Sequence, residues 1–255
     1  MYSMEIIKEC KARKEAISEK RPFSDSFTLS QIKDFYRVPN VWSSNAIEGN
    51  TLTEDETAII LRDGVTVGQH TLGEMFEAIG GGKAYDFMFT LIESKTITKA
   101  DILHFHELVT FGQPELQPGK LRDVDVIITG LDESLPPHQN VPALFDEFAE
   151  WLSENESKYD PVVFASEAHA RLVSIHPFRD GNGRVSRLVM NAILLQHGYL
   201  PVSVPPIFRH DYISALQSYR LGKGKLDSFI DFIAKTELQT QKDFMRLLRI
   251  PFDKK

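Results

Sequence analysis

One short stretch, residues 175–187, constrains this chain more than any other part of the sequence. It reads Ile-His-Pro-Phe-Arg-Asp-Gly-Asn-Gly-Arg-Val-Ser-Arg. Helical periodicity stops at His176, because the following Pro177 disfavours helical backbone in the residue before it. A polar loop with two glycines follows, and a new helix is predicted from Arg184 up to a glycine cap at Gly198. The pattern predicts a loop that opens directly into a helix N-terminus, where backbone amides favour phosphate.

The side chains of this loop suit a polyphosphate. Arg184 and Arg187 lie three residues apart and share one helix face, so their guanidinium groups can clamp phosphate oxygens. Asp180 has the wrong charge for phosphate unless a cation lies between them, and Mg²⁺ bound by one carboxylate plus phosphates is the usual arrangement. His176 belongs to the residue type whose ordinary pKa lies near neutrality, so it is the candidate general base.

The stretch resembles the signature of the Fic (filamentation-induced-by-cAMP) domain family, His-Pro-Phe-x-(Asp/Glu)-Gly-Asn-Gly-Arg-x-x-Arg, and matches every specified position. The resemblance implies an all-α, Fic-type helical bundle with a small β-hairpin flap. It also implies an Mg²⁺-dependent protein adenylyltransferase, which transfers AMP from ATP to a Ser, Thr or Tyr hydroxyl of a target protein. His176 would be the catalytic base, and Asp180 would bind the Mg²⁺.

The resemblance assigns further residues to the nucleotide and to the target. The residues expected to bind the phosphates or, more loosely aligned, the nucleoside are Asp180, Gly181, Asn182, Gly183, Arg184, Val185, Ser186, Arg187, Tyr212, Ile213 and Arg220. A β-like stretch over 124–129 would form the flap, which aligns an extended target segment by backbone pairing. The flap residues expected to do so are Ile127, Ile128, Thr129 and Gly130.

A second motif, Ser44-x-x-x-Glu48-Gly49-Asn50, closes a short helix-like run upstream. Ser44 and Glu48 are four residues apart and share a helix face, and by themselves they could be a capped surface turn. The motif resembles the inhibitory motif (Ser/Thr)-x-x-x-Glu-(Gly/Asn) of autoinhibited Fic proteins whose inhibitory helix precedes the core. In such proteins the glutamate, here Glu48, would reach Arg187 and block placement of the ATP γ-phosphate.

Local patterns elsewhere predict mostly helices. Ser30 is a plausible N-cap for a helix that Pro39 interrupts. Three consecutive glycines, 80–82, should weaken or bend the helix predicted over 71–94. A further helix is predicted over 212–221, and His169 is expected to be a packed histidine rather than a catalyst.

Composition limits the partners and the compartment. A net charge of −7 argues against general binding to nucleic acid or to anionic membranes. One cysteine, Cys10, excludes an intramolecular disulfide and suits a reducing cytoplasm, and no apolar run approaches the roughly 18 residues of a membrane span. We expect a cytoplasmic protein with an N-terminal helical region (1–97, with the inhibitory motif at 44–50), a Fic core (98–235) and a C-terminal helix end and tail (236–255).

Three other functions stay open at the level of sequence. The inhibitory glutamate could orient a water that removes AMP from a modified protein, which would make the chain a deAMPylase. The nucleoside pocket is loosely aligned, so the donor could be UTP or CDP-choline instead of ATP. A module that binds nucleotide or a partner without turnover is the third. The target protein, self-modification and a homodimer are likewise left open.

Overall fold

The computed structural model describes residues 2–66, 68–127, 134–217, 219–220 and 223–252. The described chain is mainly helical, as predicted. Its helices are α1 (Met4–Lys20), α2 (Ser26–Ile47), α3 (Glu54–Asp63), α4 (Leu72–Thr90), α5 (Lys99–Val109), α6 (Val141–Asn155), α7 (Pro161–Ile175), α8 (Asn182–Gln196), α9 (Arg209–Gln217) and α10 (Asp227–Leu247). Three 3-10 turns are Pro114–Leu116, His138–Asn140 and Pro206–Phe208, and two short strands, β1 (Tyr219–Arg220) and β2 (Lys223–Gly224), pair antiparallel.

Helix α8 lies at the centre of the molecule. Twelve consecutive residues from Arg184 to Leu195 are buried, which is the pattern of a helix covered on all sides. Helices α7, α4, α5 and α2 pack against it. One hydrophobic core runs from Ile7 in α1 to Met245 in α10, so the N-terminal helices and the predicted Fic core share it. Among the described helices, none is both long and apolar enough to cross a bilayer.

Helices α1 and α10 pack along each other and bring the two ends of the described chain together. The backbone amide of Ser3 donates to Asp231 at 2.6 Å, and the Cys10 thiol donates to the carbonyl of Ala234 at 3.3 Å. Helix α10 runs without interruption across residue 235, where the sequence places a domain boundary. The proposed boundaries at 97 and 235 remain predictions.

Helix α2 is longer than the sequence predicts, and two of its expected features are wrong. It begins at Ser26 with Asp25 as the N-cap, whose side chain accepts from the Thr28 amide at 3.0 Å, so Ser30 is interior. Pro39 lies inside the helix without ending it. A proline interrupts the helical hydrogen bonds, but α2 buries one face along its whole length, and tertiary packing supplies most helix stability in proteins. The helix therefore extends to Ile47 and presents Glu48 as its C-cap.

Helix α4 passes through the three glycines without a break. A Cβ at Gly80 would collide with the carbonyl oxygen of Leu108 in α5. A Cβ at Gly81 would lie 2.9 Å from a methyl of Val41 in α2. The glycines thus let α5 and α2 approach the α4 backbone closely. This packing offsets the low helix propensity of glycine, which costs about 1 kcal/mol per residue relative to alanine.

The predicted flap hairpin is not seen in the described residues. Residues 124–127 are irregular rather than extended in a sheet, and Ile127 is 95% exposed. The other three predicted flap residues, Ile128, Thr129 and Gly130, lie outside the described part of the chain. The helix predicted over 212–221 ends at Gln217, because the chain continues into β1.

Candidate active site

The signature loop is held in shape by its own backbone and by one asparagine. His176, the C-cap of α7, takes the left-handed backbone conformation (φ 52°), and so does Gly181 (φ 78°) immediately before α8. The Asn182 side chain accepts from the amide of Phe178 and donates to its carbonyl, both at 2.9 Å. Helix α8 therefore begins at Asn182, two residues earlier than predicted, and this side chain is committed to the loop.

Phe178 anchors the loop from below. It is fully buried and stacks face to face on His106 of α5, with ring centroids 3.9 Å apart. His106 accepts a hydrogen bond on Nδ1 from the amide of Gly119 at 3.0 Å. Burial lowers the pKa of His106 to about 4, so the ring is neutral and serves as part of the core. Its sequence neighbour His104 instead lies exposed beside Glu107, so the two histidines do not form a metal pair.

His176 is oriented as a base. Its Nδ1 lies 3.2 Å from the carbonyl oxygen of Val173, and because a carbonyl can only accept, Nδ1 carries the proton. In the neutral ring Nε2 then holds a lone pair. Burial lowers the pKa of His176 to about 4, with a smaller contribution from the positive charge of Arg122. The ring is therefore neutral at neutral pH, which is the protonation state that a general base needs.

Arg122 is a residue of the site that the sequence reasoning missed. Its buried guanidinium donates to the carbonyls of His176 (2.8 Å), Val124 (3.1 Å) and Pro136 (2.5 Å), and its amide donates to Pro177 at 2.8 Å. It therefore ties both sides of the predicted flap segment to the base. All four acceptors are backbone carbonyls, and only that of Val124 is close in sequence, so no side-chain motif could have marked Arg122.

The first arginine of the signature binds two carboxylates. Nη2 of the buried Arg184 donates to Asp180 at 3.1 Å, and Nη1 forms an ion pair with Glu77 of α4 at 2.9 Å, outside hydrogen-bond angles. Glu77 is held in turn by Asn50, whose side-chain amide donates to it at 2.8 Å. Asp180 itself is 59% exposed at the mouth of the loop. The role of Glu77 has no signal in the sequence, because its partner is more than a hundred residues away.

The second arginine, Arg187, is bound from two directions. On the α2 side, its guanidinium donates to the hydroxyl (2.9 Å) and the carbonyl (2.8 Å) of Ser44. It also donates to Glu48, whose Oε1 lies 2.7 Å from Nη2. From α9, the Tyr212 hydroxyl accepts from Nη1 at 3.3 Å. Burial acts to lower the pKa of Arg187, but Tyr212 and Glu48 outweigh burial and raise it. The guanidinium is therefore charged.

The Glu48 carboxylate lies directly over the start of α8. A Cβ at Gly183 would collide with Glu48 Oε1 and would lie 3.1 Å from Nη1 of Arg187. The first amides of a helix have no acceptor within the helix and carry the positive end of its dipole. A carboxylate of the protein thus occupies the position that the sequence assigns to a phosphate, and only glycine at 183 leaves room for it.

The remaining predicted nucleotide residues lie in different surroundings. Tyr212 is 1% exposed, with its hydroxyl also 2.7 Å from Nε2 of His169, so it reaches Arg187 from inside the core. Val185 and Ser186 are fully buried within α8. Ile213 packs partly buried against the core, and the side chain of Arg220, which follows in β1, is not described.

A magnesium ion fits the donor set of the loop. Within the described residues, no group of three or more His, Cys, Asp or Glu side chains could bind a metal by itself. Asp180 offers one exposed carboxylate beside the start of α8. Mg²⁺ is commonly bound by one or two carboxylates together with substrate phosphates, so a single carboxylate at this place suits it.

Comparison with known proteins relates this chain to one family. Residues 96–194 match the Fic/DOC family model. A protein adenylyltransferase Fic from Nematostella vectensis is 35% identical over 212 residues, which are 82% of this chain and 48% of the relative. One from Aedes aegypti is 34% identical over 201 residues, 77% of this chain and 39% of the relative. The chain therefore spans about half the length of the curated relatives it matches, or less.

Solved structures share the whole architecture. A Fic-1 fragment from C. elegans superposes with a TM-score of 0.83 at 28% identity, covering 96% of this chain and 73% of that one. A Fic-domain protein from Bacteroides thetaiotaomicron gives a TM-score of 0.84 at 20% identity, covering 98% and 100%, and supports the fold alone. The all-α architecture predicted from the sequence is confirmed.

Proposed function

We propose, since this chain belongs to the Fic/DOC family, that it is a protein adenylyltransferase, which moves AMP from ATP to a hydroxyl of a target protein. The names of its relatives support this activity. The observation that carries the proposal is that the Glu48 carboxylate lies at the start of α8 against Arg187 and Gly183, close enough to act electrostatically on a neutral His176, with Arg184 on the same first turn of the helix. A site that accepts one anion in that setting suits a triphosphate.

The phosphates would lie along the first turn of α8. Backbone amides at Gly183 and its neighbours point out of a helix N-terminus and favour negative charge. Arg184 and Arg187 are both buried and both charged donors, so they would bind the β- and γ-phosphates in fixed orientation. Fixing the two outer phosphates would position the α-phosphorus for in-line attack.

His176 would carry the proton transfer. The target hydroxyl gives its proton to Nε2 while its oxygen forms a bond to the α-phosphorus. The bond from the α-phosphorus to the bridging oxygen breaks, and pyrophosphate leaves with that electron pair. The protonated ring then returns its proton to solvent or product. Because Nδ1 is fixed on the Val173 carbonyl, Nε2 is the nitrogen available for this step.

Asp180 would bind Mg²⁺ together with the phosphates, and the metal would supply charge neutralisation of the leaving pyrophosphate. Its carboxylate is 59% exposed, which weakens its ion pair with Arg184, and the buried guanidinium keeps a second carboxylate partner in Glu77. The carboxylate can therefore exchange this partner for a cation without a large cost.

Glu48 would hold the enzyme in an inhibited state. Its carboxylate binds the same guanidinium that the γ-phosphate needs, and a bound phosphate cannot share that place with it. Release of inhibition then requires the last turn of α2 to withdraw from Arg187. We propose a cytoplasmic protein target with a Ser, Thr or Tyr hydroxyl, with the chain itself as a candidate target.

The test combines two variants and one label. Glu48→Gly protein, incubated with ATP and cell lysate, should place AMP on protein, as read by mass spectrometry. The double variant Glu48→Gly/His176→Ala should bind ATP with similar affinity but transfer about 10²–10⁴-fold more slowly, which is the usual loss for a general base. Equal labelling by both proteins would contradict the role of His176. Loss of AMP from pre-modified protein, with no labelling from ATP, would favour the reverse reaction.

A further inference from the structure

Two buried polar side chains support Arg187 from the core. Tyr212 of α9 is 1% exposed and His169 of α7 is 0% exposed. Nη1 of Arg187 donates to the Tyr212 hydroxyl at 3.3 Å, and the same hydroxyl lies 2.7 Å from Nε2 of His169. The three groups form a continuous buried chain of hydrogen bonds.

The donors and acceptors in this chain have one consistent arrangement. A guanidinium only donates, so the Tyr212 oxygen accepts from Arg187 and directs its own proton to Nε2 of His169. Burial, together with the charge of Arg187, holds the pKa of His169 well below its usual range, so the ring is neutral and Nε2 can accept. Nδ1 then carries a proton and is buried without a hydrogen-bond partner in the described chain.

That unpaired Nδ1–H is a cost to folding that an apolar pair in the same place would avoid. The pair is otherwise well packed, since the rings of both His169 and Tyr212 contact Phe229. Packing alone therefore does not explain a histidine and a tyrosine hydroxyl here. Their polar atoms face one functional group, the guanidinium of Arg187.

The contacts of Arg187 differ in what happens to them when inhibition is released. The hydroxyl and carbonyl of Ser44 and the carboxylate of Glu48 all belong to the last turns of α2. All three are lost together if that segment withdraws. The hydrogen bond to Tyr212 comes from α9, which packs on α10 and whose Tyr212 hydroxyl also contacts His169 of α7. Arg209 at the start of α9 donates to the carbonyl of Ile47 in α2, but Tyr212 itself is held by α7 and α10, so its bond to Arg187 does not belong to the withdrawing segment.

We propose that Tyr212, backed by His169, is a positioning residue that keeps the Arg187 guanidinium in place for the ATP phosphates once α2 has released it. This inference rests on the proposed function and adds to it. It also gives Tyr212 a different task from the one expected from the sequence, which was contact with the nucleoside.

Binding of ATP compared with binding of AMP distinguishes positioning of Arg187 from contact with the nucleoside. Arg187 would bind the outer phosphates, which AMP lacks. Calorimetric titrations use Glu48→Gly/His176→Ala protein, which is free of the inhibitory carboxylate and cannot transfer. Adding Tyr212→Phe should weaken binding of Mg²⁺·ATP roughly tenfold, the effect of one lost hydrogen bond to a charged group, and should leave AMP binding within about twofold. An equal loss for ATP and AMP would overturn the proposal in favour of a nucleoside contact or a general structural role.

Two further variants keep the result interpretable. In an Arg187→Ala background, Tyr212→Phe should have no further effect on ATP, because it acts through that guanidinium. Tyr212→Phe leaves Nε2 of His169 unpaired, so the paired change Tyr212→Phe/His169→Leu removes both polar partners and should give the same selective loss. Unchanged ATP affinity in both would overturn the positioning role.

Failure of the proposed function gives a different pattern. If Glu48→Gly protein labels target protein with AMP but Tyr212→Phe changes no affinity, only the positioning role is wrong. If Glu48→Gly/His176→Ala protein binds neither ATP nor AMP, the proposed function and the inference fall together.

Discussion

Replacing Glu48 by glycine should raise AMP transfer, and the structure sets the size of the effect. Glu48 Oε1 lies 2.7 Å from Nη2 of Arg187, with the arginine side chain 6% exposed and the glutamate 37% exposed. Hydrogen bonds to charged groups contribute about 1.5–3 kcal/mol, and the partial exposure of Glu48 lowers its share of the attraction. A net value of about 2 kcal/mol corresponds to roughly a thirtyfold preference for the inhibited arrangement.

The assay is the rate of AMP incorporation from ATP, with wild type and variant at equal concentration. Glu48→Gly should label about thirtyfold faster than wild type, and Glu48→Gln, which keeps the shape but not the charge, should lie between them. Glu93→Gly is the matched control, because Glu93 is exposed in the turn after α4 and remote from the loop in sequence. It should label at the wild-type rate.

The gain must depend on Arg187 if the argument is right. Both groups act at one site, so Glu48→Gly in an Arg187→Ala background should give no increase. Folded Glu48→Gly protein that binds ATP yet labels no faster than wild type would refute autoinhibition through this contact. A gain that persists without Arg187 would show that Glu48 acts elsewhere.

Four other outcomes follow from the site and the core. Asp180→Ala should lower AMP transfer and make the remaining rate independent of Mg²⁺, as measured by a metal titration of the Glu48→Gly protein. Burial lowers the pKa of His176 to about 4, so kcat/KM for that protein should stay level from pH 8 to about pH 5 instead of falling near 6.5. Burial raises the pKa of Glu237 well above 4.5, so its carboxyl is protonated in the fold and ionised in the unfolded chain above about pH 4.5. Stability is therefore lost as pH rises above about 4.5, and Glu237→Gln should remove this part of the pH dependence, as measured by urea unfolding at a series of pH values. Gly80→Ala should destabilise the fold by about 1–3 kcal/mol despite better helix propensity, because its methyl would meet the carbonyl of Leu108, and the urea midpoint would fall.

Local chemistry made the central loop readable from the sequence. Pro177 ends α7, and glycine at 181 supplies the left-handed turn from which α8 begins. These features depend on residues within a few positions of one another. For the same reason His176 and the two signature arginines could be picked out, together with Glu48 as a partner of Arg187, but not Arg122, Glu77 or the buried support from Tyr212.

Local patterns failed where distant segments decide the outcome. Pro39 was expected to end a helix, but α2 continues because its buried face packs against the core along its length. The glycines at 80–82 were expected to weaken or bend α4; the structure shows a continuous helix in which they are the places where neighbouring helices touch its backbone. Helix propensity describes an isolated segment. In the folded protein, contacts with neighbouring helices can outweigh a low propensity.

The sequence by itself determined the turn of the signature loop, the helix that follows it and the helical class, because a turn and a cap are each fixed by contiguous residues. The resemblance of the inhibitory motif also predicted the contact between Glu48 and Arg187, which the structure shows across 139 positions. Only the tertiary structure decided the other partners: it brings Tyr212 to the same guanidinium across 25 positions and Arg122 to the backbone of His176 across 54. Hydrogen bonds and ion pairs act over a few ångströms in space, so partners that no motif marks become known only when the fold has placed them.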